Sequence, residues 1–407
     1  MMTTRQATAQ AGRPDRRDVA AAILIGGLGI TQVVAMPLLA TLVAAAFNVE
    51  GAGSGLIGLA NLLGTALGSL VVTMWLPRLP LRRTAILSTL LACASQTGVA
   101  LMPGFNGAIL LEALSGTGAG ILIALSAAIV GASSNPDRGF AFILALQAVI
   151  AVLVLLVIPA IDRVATLFAV AVFLSGVQAL LIPVSFLLGR EPVPAGRQGE
   201  RELCGSALHP AVLLKATAYF LFSAAVGVLW VFSGVLGSMA DLAGSLIGRA
   251  LAVGNIAAIA GSLLAAIITS RFGRIAPVLA VCLTLALSVA LFTSEMTLVQ
   301  FYVASSLFLF AWGGGLPLLM GVVAETDPTE RVTSLLPVLA FAGMGVGPAL
   351  VGVMPAGWGL FGQVTATTIG LTVLAFMLLI TAHLRWPLPR AAPDRNRRPG
   401  PHGTPAR

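Results

Sequence analysis

The hydrophobic pattern of this chain is a series of long apolar stretches separated by short polar segments. Twelve stretches approach or exceed the roughly 20 mainly apolar residues that a helix needs to cross a bilayer. They cover residues 20–46, 52–75, 85–103, 105–131, 140–160, 164–188, 211–238, 243–269, 277–294, 298–323, 333–355 and 359–384. They do not alternate apolar and polar positions as the strands of a membrane barrel do. The pattern predicts an all-α polytopic membrane protein with twelve transmembrane helices, here numbered spans one to twelve.

Composition strengthens this interpretation. Of the 407 residues, 58% are hydrophobic and only 9% are charged, and the mean hydropathy is +1.00. A soluble surface carries about a quarter charged residues, so most of this surface must face lipid, and ordinary soluble enzymes are excluded. The net charge of +8 does not indicate nucleic-acid binding, because the basic residues form short clusters between the apolar stretches.

The distribution of basic residues predicts the topology. Of the 23 basic residues, 21 lie in the two tails and the even-numbered loops. Because basic loops stay on the cytoplasmic side, both termini are expected inside a bacterial inner membrane. The predicted organisation is a basic cytoplasmic tail (1–19), a six-helix bundle (20–188), a cytoplasmic central loop (189–210), a second six-helix bundle (211–384) and a disordered basic cytoplasmic tail (385–407).

No motif in the chain points to a cofactor or a metal. The spacing of Cys93, Cys204 and Cys282 fits neither a metal site nor a disulfide framework. The glycine-rich segment from Gly51 to Gly55 lacks the lysine of an ATP-binding loop. The sequence therefore predicts a protein that uses neither ATP nor a cofactor, as a monomer in the lipid bilayer.

The two halves of the chain resemble each other. A shift of 193 residues places every span of the first half on a span of the second. Matching residues include Gly55 on Gly248, Gly68 to Leu70 on Gly261 to Leu263, Arg78 on Arg271, and Gly120 on Gly313. Parallel repeats of this kind are a transporter design, with the solute site between the halves near the bilayer midplane.

Two loops carry a family resemblance. The segment Leu76-Pro77-Arg78-Leu79-Pro80-Leu81-Arg82-Arg83 and the segment Ser270-Arg271-Phe272-Gly273-Arg274 are similar to the signature loop Gly-x-x-x-Asp-Arg-x-Gly-Arg-Arg of the major facilitator superfamily. Both copies lack the aspartate. In that family the loop helps to lock the cytoplasmic ends of the bundles, so the resemblance implies gating roles for Arg78, Arg82, Arg83, Arg271, Gly273 and Arg274. A plain positive-inside anchor is the alternative.

Glycine motifs in two spans extend the resemblance. In span four, the segment from Glu112 to Gly120 is similar to the family motif Arg-x-x-x-Gly-x-Gly-x-Gly, with Glu112 in the arginine position. Gly116, Gly118 and Gly120 keep the spacing and are predicted to let a neighbouring helix approach closely. The pair Gly347-Pro348 lies in span eleven, whereas the family's drug exporters carry Gly-Pro in span five. This departure argues against a simple assignment as such an exporter.

Only two charges lie well inside the spans, Glu112 in span four and Arg249 in span eight. A charge inside a membrane is costly and needs a partner or a role. One hypothesis is that the two residues pair across the central cavity or face the same substrate, with Glu112 taking up and releasing a proton. The alternative is that Glu112 is a neutral, hydrogen-bonded buried acid and that Arg249 extends outward to the membrane surface.

Polar amides and aromatic residues supply further cavity candidates. The amides in the spans are Gln32, Asn61, Gln96, Gln147, Gln178, Asn255 and Gln363. Among them Gln32, Gln147 and Asn255 are predicted to face the cavity, and Tyr219 and Trp312 are predicted to line a pocket for an aromatic or apolar solute. Hydrogen bonding between helices and packing are the alternatives.

The predicted function is secondary active transport of a small organic solute by alternating access, with protons as a candidate coupling ion. Few fixed charges line the spans, which argues against a polyanionic substrate. One alternative is a transport-inactive relative that acts as a sensor or handles lipids, since both signature loops lack their acid. Another is a polytopic membrane enzyme, but His209, His383 and His402 form no catalytic constellation in the sequence.

Overall fold

A computed structural model describes residues 14–102, 104–162, 167–190, 209–272, 275–327 and 332–386. Within these ranges the regular structure is helical, without β-strands, which confirms the all-α class. The twelve helical segments in these ranges are α1 (Arg16–Leu28 and Thr31–Ala46), α2 (Gly55–Trp75), α3 (Leu81–Val99), α4 (Phe105–Gly131), α5 (Pro136–Asp162), α6 (Leu167–Ala179 and Leu181–Ser185), α7 (Pro210–Met239), α8 (Gly244–Phe272), α9 (Ile275–Ala290), α10 (Leu298–Ala324), α11 (Leu336–Val351) and α12 (Gly359–Arg385).

The segments correspond one to one with the predicted spans, with two qualifications. Among the described residues, ten segments are long and apolar enough to cross a membrane by length and composition. The other two are α3, which carries two arginines and several polar side chains, and α9, which has only 16 residues. In addition, α1 and α6 each consist of two pieces, breaks that the apolar pattern alone does not reveal.

Three contacts identify one end of the molecule. Asp18 Oδ1 accepts a hydrogen bond from the backbone N–H of Gly189 at 2.8 Å. Arg82 Nε donates to the carbonyl of Leu188 at 2.9 Å. The rings of His209 and Trp386 meet edge to face, with centroids 5.4 Å apart. The first turns of α1 and α3 therefore lie with the end of α6, and the first turn of α7 lies with the end of α12. The two groups share one end of the molecule because α1 and α7 run side by side in the same direction, with Val33 beside Trp230 and Pro37 beside Gly234. We call this end the terminal face and the opposite end the distal face.

The internal repeat extends to individual contacts. In the first half, Ser69 Oγ on α2 donates to the carbonyl of Gly120 on α4 at 3.3 Å. In the second half, Ser262 Oγ on α8 donates to the carbonyl of Gly313 on α10 at 2.7 Å. Both residues of the second pair lie 193 positions after those of the first. Small residues allow this close approach of backbones, which is how helices associate where lipid removes the hydrophobic driving force.

The same shift relates contacts between the two halves. Gly55 on α2 lies against the carbonyl oxygen of Pro348 on α11, and Gly248 on α8 lies against that of Leu155 on α5. Adding 193 to 55 and 155 gives 248 and 348, so the two contacts are equivalent under the repeat. The halves thus meet along two related interfaces, α2 with α11 and α5 with α8.

A third contact between the halves joins α1 and α7. Gly234 lies against the carbonyl oxygen of Pro37, and Trp230 Nε1 donates to the carbonyl of Val33 at 2.8 Å. Because α2 and α8 begin at the distal face while α1, α5, α7 and α11 end there, these contacts lie between the middle of the helices and the distal face. The halves are therefore packed together across the distal part of the molecule.

Candidate functional site

Glu112 lies at the centre of a closed polar cluster inside the first half. Its side chain is 0% exposed. Asn61 Nδ2 on α2 donates to Glu112 Oε2 at 2.9 Å, and Gln96 Nε2 on α3 donates to Oε1 at 3.5 Å. Ser115 Oγ in turn donates to Gln96 Oε1 at 3.2 Å. We call Asn61, Gln96, Glu112 and Ser115 the acid cluster. Among the described residues, no basic side chain forms a salt bridge with Glu112.

The glycines of α4 explain how this cluster assembles. Gly116, one turn after Glu112, lies against the backbone carbonyl of Asn61, and Gly120 lies in the same way against that of Thr65. Gly118 faces α3 instead, beside the carbonyl of Ser88. With the backbone of α2 so close, the short side chain of Asn61 spans the gap to the carboxylate. The glycine motif thus packs two neighbours against α4.

Arg249 does not share this site. Its side chain is exposed, and it belongs to a stripe along α8 that continues through exposed apolar residues such as Val253, Ile256 and Leu263. A stripe of exposed apolar residues on a membrane helix faces lipid. The structure therefore does not bring the two residues together: Glu112 is enclosed in the acid cluster, and Arg249 is exposed on the outside of its helix. A long arginine side chain near a helix end reaches the membrane surface instead.

The exposed position of Arg249 predicts that its substitution has a small effect on transport. We expect Arg249→Gln to change the initial rate of solute uptake by less than about twofold, because a substitution at an exposed site typically alters stability by only about 0.5 kcal/mol or less. Uptake by reconstituted vesicles measures this rate, and Arg249→Lys, which keeps the charge, is the matched control. A tenfold loss in the glutamine variant alone would place Arg249 in the transport pathway.

Each of the three predicted cavity amides donates a hydrogen bond within its own half. Gln32 Nε2 donates to Gln178 Oε1 at 2.8 Å, in the interior between α1 and α6. Gln147 Nε2 on α5 donates to the carbonyl of Gly26 on α1 at 2.9 Å. Asn255 Nδ2 donates to a carbonyl one turn earlier in its own helix at 2.9 Å. Each bond is intramolecular and local to one half, which favours the alternative of hydrogen bonding over a cavity role.

Aromatic side chains gather where the halves meet. The ring of Trp312 on α10 lies edge to face against Trp230 on α7, with centroids 5.0 Å apart, and stacks on Phe308 at 5.9 Å. We call these three residues the aromatic cluster. Trp230 also bonds to Val33 of the first half. Trp230 and Phe308 are buried, whereas Trp312 is only partly buried. Tyr219, also on α7, is buried in the core.

The predicted gating residues divide into three groups. Arg82 bonds to Leu188 within the first half, so it braces one bundle rather than linking the two. Arg78 and Arg83 are exposed at the terminal face. The side chain of Arg271, and Gly273 and Arg274 entirely, lie outside the described residues. In α11, Gly347 lies against the carbonyl of Ala224 and the carbonyl of Pro348 against Gly55, as a packing role requires.

Two partners of Glu112 could not be recognised from the sequence. Asn61 and Gln96 were indistinguishable from the other amides of the spans. The repeat contains a usable signal: the equivalents of Asn61, Gln96 and Glu112 in the second half are Gly254, Val289 and Ser305. Both amides thus occur only in the half that carries the acid.

Two equivalent halves packed around a shared interface define a polytopic membrane protein built like an alternating-access transporter. The sequence model of the Major Facilitator Superfamily matches residues 20–336. The chain therefore belongs to this superfamily and is a multi-pass membrane protein that acts as a secondary transporter.

Solved structures confirm the fold. The chain is similar to the peptide transporter POT, in a mutant form (TM-score 0.72, 14% identity, covering 94% of this chain and 98% of that chain). It is also similar to the nucleoside transporter NupG (0.67, 12%, 89% and 98%). A third similar structure is a bacterial homologue of the human lysosomal transporter Spinster, inward-facing and unoccupied (0.64, 14%, 94% and 96%). No curated protein sequence matches the chain significantly.

Proposed function

We propose that this protein is a proton-coupled transporter of a small, uncharged, ring-bearing organic solute in the bacterial inner membrane, with both termini in the cytoplasm. The observation that carries the proposal is Glu112, a fully buried carboxyl group held by two amides from other helices. Acidic residues buried in membrane spans typically belong to ion or proton pathways. The contacts between the halves described above lie toward the distal face, so the distal face is closed in this conformation.

The chemistry of the acid cluster suits both charge states of Glu112. When the carboxyl is ionised, both of its oxygens accept N–H groups, as they do here. Asn61 Oδ1 has no hydrogen-bond partner among the described residues. A half-turn of the Asn61 amide would exchange its nitrogen and oxygen, so a protonated Glu112 could donate to that oxygen. The cluster thus satisfies the carboxyl before and after proton transfer.

The position of Asn61 connects the acid cluster to the movement of the halves. The next two residues of α2, Leu62 and Leu63, lie against Gly345 of α11 across the interface between the halves. A change in the bond between Asn61 and Glu112 therefore acts on a helix that forms this interface. Coupling requires a group whose charge differs between two global states. Glu112 is the proposed group, and its partner Asn61 precedes by one residue the part of α2 that contacts the second half.

The solute class follows from the aromatic cluster. Planar rings stack on tryptophan and phenylalanine faces with centroids about 4.5–7 Å apart. Among the described residues, the two charges well inside the spans are elsewhere: Glu112 is enclosed in one half and Arg249 faces lipid. A charged solute at the midplane would lack a counter-ion from either residue. The proposed solute is therefore uncharged and carries a planar ring, and the fold shared with a nucleoside transporter makes a nucleoside a reasonable probe.

Reconstituted vesicles test the proposed function. Vesicles containing the protein would be given an outward or inward pH gradient and a panel of labelled uncharged ring-bearing solutes, including uridine, with the charged analogue uridine monophosphate as a mismatch. We expect saturable uptake of at least one uncharged member, stimulated by one direction of the gradient. Saturable uptake that is indifferent to the gradient would reject proton coupling, and preference for the charged analogue would reject the solute class.

Trp312 provides a specific prediction for the solute site. We expect Trp312→Ala to raise the solute concentration for half-maximal uptake about fivefold to thirtyfold, because an aromatic contact and its buried area contribute about 1–2 kcal/mol. Trp312→Phe, which keeps a ring, should lie within about threefold of the unchanged protein. Initial uptake rates over a concentration series measure both. Equal behaviour of alanine and phenylalanine variants would remove stacking from the recognition of the solute.

A further inference from the structure

The distal face carries a cavity of about 610 Å³ that is separate from the acid and aromatic clusters. Its walls come from both halves. The first half contributes the last turns of α1 and the following linker, including Thr41, Glu50 and Ser54, and the second half contributes Val235 and Met239 of α7 and Leu360 of α12. The cavity thus lies on the distal side of the contact between α1 and α7.

The polar groups of this cavity are acceptors of hydrogen bonds. Thr41 Oγ1 donates its proton to the carbonyl of Pro37 at 3.0 Å, and Ser54 Oγ donates to the carbonyl of Gly51 at 3.0 Å. A hydroxyl group has one proton and two lone pairs, so each of these oxygens keeps only acceptor capacity for a ligand. The third polar side chain, Glu50, is also an acceptor when ionised and is the only charged residue in the lining.

The remaining walls are apolar, formed by residues such as Val49, Val235, Met239 and Leu360. A ligand that fits must combine an apolar body with a positively charged donor. We propose that this distal cavity is a binding site for an organic ammonium ion, whose N–H groups bond to Glu50 and Thr41 while its hydrocarbon part packs against the apolar wall.

Because both halves line this cavity, binding there depends on the conformation of the protein. Thr41 and Val235 lie beside the contact of Pro37 with Gly234, which holds α1 and α7 together. When the distal face opens, the walls must separate, so the complete site exists only in the closed arrangement. A ligand that binds one conformation better shifts the population toward it. An ammonium ion in this cavity therefore stabilises the distally closed state and slows transport. This consequence rests on the proposed transport cycle, whereas the binding itself does not.

Binding to the purified full-length protein tests the site directly. The probes are 2-phenylethylammonium and 2-phenylethanol, which have similar shapes and differ in charge, and titration calorimetry measures their affinities. We expect the ammonium ion to bind at least tenfold more tightly than the alcohol. We expect Glu50→Gln to weaken ammonium binding about tenfold to a hundredfold, the effect of losing a charge-assisted hydrogen bond. Glu295→Gln, an exposed acid on the same face, should bind like the unchanged protein.

A second variant tests the cavity rather than the charge. Ala45 lines the cavity with an exposed side chain, so Ala45→Trp fills the space without disturbing the core, and we expect it to abolish binding of the ammonium ion. Equal affinities for the two probes, or full binding by Glu50→Gln or Ala45→Trp, would overturn the proposal. If the ammonium ion does not bind but solute uptake is intact, only the proposed distal site is contradicted. If the ammonium ion binds but uptake is not stimulated by a proton gradient, only the proposed transport function is contradicted.

Discussion

Vesicles containing Glu112→Gln are expected to lose proton-driven accumulation of solute while still exchanging solute across the membrane. Glutamine has the shape of the protonated acid and can hydrogen-bond to Asn61 and Gln96, so the acid cluster stays packed. It cannot release a proton. A gradient of about one pH unit is worth about 1.4 kcal/mol per proton, or a tenfold concentration ratio. We therefore expect the accumulation ratio to fall from as much as roughly tenfold to about one.

Two measurements separate coupling from damage to the protein. Exchange of labelled for unlabelled solute, in the absence of a pH gradient, should proceed within about threefold of the normal rate in Glu112→Gln. Glu295→Gln removes an exposed acid from the distal face and should accumulate solute normally. If Glu112→Gln still concentrates solute under the gradient, the proton is carried elsewhere. If exchange also stops, the residue is needed for the conformational cycle itself.

The fold was largely predictable because the membrane imposes a simple rule. A backbone in lipid must satisfy its own hydrogen bonds, so each long apolar stretch forms a helix. The least predictable helix was α3, which carries Arg82, Arg83 and several polar side chains yet is fully helical from Leu81. Two of the uncharged polar side chains face neighbouring helices: Gln96 Nε2 donates to Glu112, and Thr97 Oγ1 donates to Ser175 Oγ at 2.9 Å.

The direction of side chains was much less predictable than the helices. Depth in the membrane can be counted along the sequence, and Glu112 and Arg249 lie at similar depth. Rotation about the helix axis cannot be counted in the same way, because helices that are apolar on every side give no periodic signal. Glu112 faces the interior of one bundle, whereas Arg249 is exposed on the outside of its helix.

The repeat carries information that the apolar pattern lacks. Asn61, Gln96 and Glu112 of the acid cluster are replaced at the equivalent positions of the second half by Gly254, Val289 and Ser305. Conversely, Trp230 and Phe308 of the aromatic cluster correspond to Pro37 and Ser115. The two halves share their helix packing but differ in chemistry. This division supports placing proton exchange in the first half and recognition of the solute in the second.

Gly116→Ala is expected to be the most damaging small substitution in the first half. A Cβ atom at this position would overlap the backbone carbonyl of Asn61, and a backbone cannot move aside as a side chain can. The helices α2 and α4 must therefore separate, at a cost of about 1–3 kcal/mol or more. We expect the melting temperature of the purified protein to fall by several degrees, given about 2–4 °C per kcal/mol for domains of 150–250 residues.

The same helix supplies the control. Gly131 ends α4 with no other atom near the position of an added Cβ, so Gly131→Ala adds the same methyl group without a clash. We expect it to leave the melting temperature unchanged or raise it slightly, because alanine favours a helix over glycine by up to about 1 kcal/mol. Gly313→Ala should behave like Gly116→Ala, since Gly313 lies against the carbonyl of Ala258. Equal stability of the Gly116 and Gly131 variants would show that α2 and α4 are not held at backbone contact. The distance over which Asn61 reaches Glu112 would then need another explanation.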